Sequence, residues 1–212
     1  MSDLAQDCLD ILDALEIERT NVFEISIAGL IVQHLLTHSR DQHLTATIVT
    51  SSIDDASLQY CLGSDIPLDP PKPTDDEVAL LAEALETDTL YEGPTFPIPM
   101  AQRAESVRRR YDLSYHPDGQ ARQLAAIKRF SFVSDSLAAV HIPTRVANGD
   151  HDVTFPPVQA EKIAQATPYS NFLLFPGMVH EICDNLGGLI SDHVETRIQA
   201  SYVEGAHVAT HT

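Results

Sequence analysis

Three residues far apart in the chain have the types that together activate a hydroxyl group: Ser26, Asp152 and His180. A serine hydroxyl is a weak nucleophile until an imidazole takes its proton, and a carboxylate behind the imidazole fixes its tautomer and stabilises its charge. Each of the three follows a run of β-type sequence. Asn21 to Ile25 leads into Ser26, Thr144 to Asn148 leads into Gly149-Asp150-His151-Asp152, and Asn171 to Phe175 leads into Pro176-Gly177-Met178-Val179-His180. Residues just past the C-terminal ends of parallel strands converge on one edge of a sheet, so the three are expected to meet. Asp150 is the alternative acid. Each residue alone also has a structural reading: a serine before a helix as an N-cap, an aspartate after glycine as a turn residue, a lone histidine as a satisfied core or surface group. His34 and His38, four apart on one helix face, could clip a metal, but the stretch between them lacks the glutamate of a metalloprotease helix.

The elements that must position these residues read as an α/β chain. Leu4 to Leu15 is an amphipathic helix, and Ile27 to Leu36 is a strongly apolar one that follows Ser26 across a sharp turn. Thr45 to Thr50 is rich in β-branched residues and closes a parallel strand-helix-strand unit. Prolines at 67, 70, 71 and 73 then interrupt the sheet pattern. Helices are expected from Asp75 to Leu90, which is acidic, and from Ala101 to Tyr111 and Ala121 to Phe130, which carry Arg103, Arg108, Arg109, Arg110, Arg122, Lys128 and Arg129. The basic residues read as a solvated face paired with the acidic helix. A helix from Pro157 to Ala166 and a terminal one from about Leu189 to Val203 complete the pattern.

Composition bounds the function. Thirteen Lys and Arg against 31 Asp and Glu leave a net charge of −18, which repels phosphate backbones and anionic lipid. Nucleic acid and membrane partners are therefore not expected. The apolar run Ile27 to Val32 falls far short of the roughly 20 residues of a membrane span, and the first residues carry acids where a secretory leader carries positive charge. Cys8, Cys61 and Cys183 form no close pair, which fits a reducing, cytoplasmic setting.

The chain resembles the α/β-hydrolase superfamily, and within it the aclacinomycin-methylesterase-like ester hydrolases. The resemblance rests on the stretch from Leu12 to Arg19, on Tyr111-Asp112-Leu113-Ser114-Tyr115 with Pro117, Gly119 and Arg122 to Ile127, on Ile142-Pro143-Thr144, and on the turns that carry Asp152 and His180. It implies an α/β-hydrolase fold with a helical cap, no cofactor, and hydrolysis of a small-molecule carboxylic (methyl-type) ester through an acyl-enzyme. Ser26 would be the nucleophile, His180 the base and acid, Asp152 the orienting carboxylate, and the Ile27 N–H an oxyanion donor. The chain order Ser, Asp, His is that of such hydrolases. The expected layout is a truncated sheet of about four parallel strands from residues 1–53 and 139–204, a cap over 54–138, and a disordered tail over 205–212.

Two departures from the family pattern carry expectations of their own. Gly-x-Ser-x-Gly-Gly is here Glu24-Ile25-Ser26-Ile27-Ala28-Gly29, so Glu24 is expected to crowd a turn that normally takes no side chain. The family's sequence also begins some strands earlier. On that comparison one of two oxyanion donors is lost, at a cost of about 100- to 1,000-fold in rate. The strand before Ser26 is left on an open edge that invites a second copy or a complementing N-terminal fragment. The alternative reading is accordingly a non-catalytic remnant or interaction protein.

Overall fold

Four short stretches rich in β-branched and aromatic residues pair into one parallel sheet: β1 (Thr20–Ile25), β2 (His43–Val49), β3 (Thr144–Gly149) and β4 (Ser170–Phe175), in the spatial order β1-β2-β3-β4. They are seen in a computed structural model that describes residues 1–38, 43–49, 51, 76–130 and 134–209. Cys61, the proline run at 67–73 and the first part of the expected cap lie outside those residues. The β1–β2 register shifts between Thr20 and Asn21, and beyond it the strands align across the sheet, with Ile25 beside Val49, Val49 beside Ala147, and Ala147 beside Leu173. Parallel neighbours need crossovers. Helix α2 (Ile27–His38) links β1 to β2. Helices α3 (Glu77–Thr89), α4 (Met100–Ser114) and α5 (Pro117–Lys128) lie between β2 and β3, and α6 (Pro157–Ala166) links β3 to β4. All four strands therefore point their C-terminal ends to one edge.

The side-chain alternation of the strands divides the core into two layers. Val22, Ala46, Ile48, Val146 and Phe172 face α2, α6 and a 3-10 turn at Ser134–Ala139, where Val32, Leu36, Leu137 and Ile163 are fully buried. Ile25, Val49, Ala147, Leu173 and Phe175 face the opposite way, against Met178 and the terminal helix α7 (Asp184–Ala209) through Leu186 and Ile190. Each fully buried Leu, Ile or Val contributes about 1.5–3 kcal/mol by leaving water. β3 is buried along its whole length, as the centre of a two-sided layer must be. Among the described residues no helix is long and apolar enough to cross a membrane.

Several boundaries differ from the sequence reading. Helix α7 begins at Asp184 rather than Leu189 and runs to Ala209, so residues 205–209 of the expected tail are helical and 210–212 fall outside the described residues. The start is earlier because Asp184 complements the N-terminal dipole and Leu186 is drawn into the core, and no proline follows to stop the helix. Helix α5 starts at Pro117, which is preorganised for the first turn. The basic residues of α4 also divide. Arg108 and Arg110 are about half exposed and pair with Glu77 and Asp88 of α3, whereas Arg103 is 1% exposed.

At the other side of the sheet, β1 hydrogen-bonds β2 alone among the described residues. Phe23 is 43% exposed there, and Ile11 and Leu15 of helix α1 (Ser2–Ala14) and its C-terminal turn are exposed as well. Helix α1 packs on α2.

Candidate active site

Ser26 stands between β1 and α2 with φ of 59°, a left-handed conformation that costs a non-glycine residue roughly 1–3 kcal/mol. Three hydrogen bonds hold it there. Its N–H donates to the Val49 carbonyl at 2.9 Å, and its own carbonyl accepts from the Ser51 hydroxyl at 2.9 Å and the Gly29 N–H at 3.0 Å. The turn forms with Glu24 in place. Glu24 has no left-handed backbone, and by alternation its side chain shares the Val22 face of β1, away from Ile25. Burial raises the Glu24 pKa. It also raises that of the Cys8 thiol on α1, to which the nearby Glu24 charge adds.

Asp152 is 3% exposed and closes the turn after β3. Its Oδ1 accepts from the N–H groups of Thr154 and Phe155, at 2.8 and 2.9 Å, which leaves Oδ2 free to face His180. His180 reaches the same point from the turn after β4. Gly177, at φ +76°, makes that turn, and Gly149 at the end of β3 lets it pass so closely that a Cβ there would lie 2.0 Å from the Met178 carbonyl oxygen. The two turns are laced by His151 N–H to the Met178 carbonyl at 3.1 Å and Gly177 N–H to Asp150 Oδ1 at 2.6 Å.

The three residues meet. His180 Nδ1 lies 2.8 Å from Asp152 Oδ2, and His180 Nε2 lies 2.8 Å from Ser26 Oγ. An ionised carboxylate can only accept, so Nδ1 carries the proton and Nε2 is left to accept from the serine hydroxyl. The rings of Phe155 and Tyr91 stand 5.4 and 5.8 Å from the imidazole, and its side chain is 10% exposed. Neither aromatic was singled out from sequence, since a ring after a turn carries no periodic signal. Asp150 does not share this geometry. It binds His151 and the Gly177 N–H, with the His151 bond the larger cause of a lowered carboxyl pKa. Ile27 opens α2, where the first N–H groups have no partner within the helix.

A cavity of about 360 Å³ opens onto His180, bounded by Ile25, Tyr91, Ile98, Gln102, Arg103 and Ser106 among others. A second, of about 760 Å³, lies between α3, α4 and α5 and shares Asp88 and Arg110 with the first. His34 and His38 keep their rings 5.8 Å apart, and burial lowers the His34 pKa. Among the described residues no group of three or more His, Cys, Asp or Glu is placed to hold a metal ion.

The chain has the α/β-hydrolase fold. It superimposes on an α/β-hydrolase enzyme from a Medee basin deep-sea metagenome library with a TM-score of 0.72 at 14% identity, covering 92% of this chain and 70% of that one. An esterase from Rhodococcus sp. gives 0.67 at 17% identity, with 92% and 70% covered. The meta-cleavage product hydrolase of Pseudomonas fluorescens gives 0.65 at 13% identity, with 96% and 72% covered. No protein-family model matches the sequence, and no curated protein matches it.

Proposed function

We propose that this chain is a serine hydrolase of carboxylic esters, of the methylesterase type. The observation that carries the reading is the unbroken hydrogen-bonded path from Ser26 Oγ through His180 to Asp152. In the proposed reaction Ser26 Oγ attacks the ester carbonyl carbon while its proton passes to His180 Nε2. Asp152 holds the imidazolium, and the Ile27 N–H donates to the carbonyl oxygen as it gains charge. The bond to the alcohol then breaks, and His180 returns the proton to the leaving oxygen. Water repeats the sequence on the acyl-Ser26 bond and releases the acid. Likeness to an esterase among the solved structures supports an ester as substrate. Treatment with a fluorophosphonate tests the assignment without needing fast turnover: the added mass is expected on the peptide that contains Ser26. A label on another residue, or none, would sink it.

Exposed Phe23 on β1, which pairs with β2 alone among the described residues, favours a second reading, in which this edge binds another copy of the chain. Sedimentation at micromolar concentration should then show concentration-dependent association that Phe23→Lys abolishes. A monomer at every concentration would refute it.

A further inference from the structure

We propose that Arg103 is a positioning residue for His180 and acts through Glu181, an inference that rests on the hydrolase reading above. Charged side chains are almost never fully buried unless paired, and Arg103 is the largest fully buried side chain of the described residues. It projects from α4, outside the sheet, to the residue that follows His180 in the chain. Its guanidinium grips Glu181 with both ends, Nη1 to Oε1 at 2.7 Å and Nη2 to Oε2 at 3.0 Å. Nη1 also donates to the Asp88 carbonyl at 2.9 Å and lies 3.4 Å from the Asp88 carboxylate, while Nη2 lies 3.9 Å from Glu92. Immediately before Arg103, Gln102 donates to Asp184 at 3.0 Å, so α4 holds the segment after His180 at two points.

Stability alone is a weak reason for such a pair, because buried ion pairs are often replaced by apolar residues without loss. What apolar residues cannot reproduce is the fixed fork of a bidentate arginine. The fork sets the path of the backbone at Glu181 and thereby the ring of His180, which must keep both 2.8 Å contacts at once. The groups that face this assembly are Asp152, Ser26, Phe155 and Tyr91 around His180, and Asp88, Glu92 and Glu181 around Arg103, with Arg110 behind Asp88.

The test combines the pH titration of His180, read from its ring Cε1–H resonance, with the rate at which a fluorophosphonate labels Ser26. Arg103→Met strands the carboxylates and should raise the His180 midpoint by about one pH unit; Glu181→Gln strands the guanidinium and should lower it. The double variant Arg103→Met/Glu181→Met strands no charge, so its midpoint should stay near the parent's while labelling falls about 100-fold, the cost of a misplaced base. Arg103→Lys keeps the charge, loses the fork and should label about 10-fold more slowly. The double variant and Arg103→Lys decide the matter even where a single variant fails to fold. A double variant that labels at the parent rate would overturn the proposal and reduce the pair to a structural one. A parent chain that takes no label at Ser26 sinks the hydrolase reading instead. In that case the opposite shifts of the two single variants still support the coupling, and unmoved midpoints overturn it.

Discussion

Asp152→Asn is expected to lower Ser26-dependent ester hydrolysis about 10⁴-fold in kcat while leaving the chain folded. The two oxygens of Asp152 do separate jobs. Oδ1 accepts the Thr154 and Phe155 N–H groups and shapes the turn, and an asparagine carbonyl can take over both bonds. Oδ2 faces His180 Nδ1, where an asparagine would present an N–H₂ donor. Two donors cannot face each other, so the imidazole moves its proton to Nε2 and can no longer accept from the Ser26 hydroxyl. Hydrolysis of a short-chain p-nitrophenyl ester measures the effect, with Ser26→Ala as the floor. An Asp152→Asn protein with unchanged kcat and an unchanged circular dichroism spectrum would show that His180 does not work through this carboxylate.

Gly149→Ala should be the most damaging of the small substitutions to stability. The added Cβ would sit 2.0 Å from the Met178 carbonyl oxygen and 2.5 Å from its carbonyl carbon, and both atoms are backbone. No rotamer change relieves such a contact, so β3 or the His180 turn must move. A loss of about 3 kcal/mol is expected. For a chain of this size that lowers the melting temperature by about 10 °C in thermal unfolding. Labelling of Ser26 should fall with it, because Met178 is two residues from His180. Gly188→Ala, in helix α7 with nothing within 4 Å of the added carbon, should be neutral or slightly stabilising. Equal melting temperatures for the two variants would contradict the close approach of these backbones.

The solved structures of similar fold bear on the sheet and the layers, and both were legible in the order of the residues. Val22, Ala46, Val146 and Phe172 against Ile25, Val49, Ala147 and Leu173 show the strand alternation, and the three turns that carry Ser26, Asp152 and His180 each follow a β-type run. Local pattern suffices there because period and turn chemistry act over a few residues. What only the tertiary structure decided are the contacts between distant segments. Sequence could not choose Asp152 over Asp150 by local chemistry, since both follow Gly149. The family resemblance pointed to Asp152, and the fold turns that carboxylate toward His180, 28 residues away, while the Asp150 carboxylate accepts from the Gly177 N–H. Glu24 looked like an obstruction in a one-dimensional motif, and the turn at Ser26 forms with it in place. Arg103 looked like one basic residue among seven on solvated helices. Its burial against Glu181, 78 residues on, depends on how α4 docks over the His180 turn, and no spacing rule along the chain carries that information.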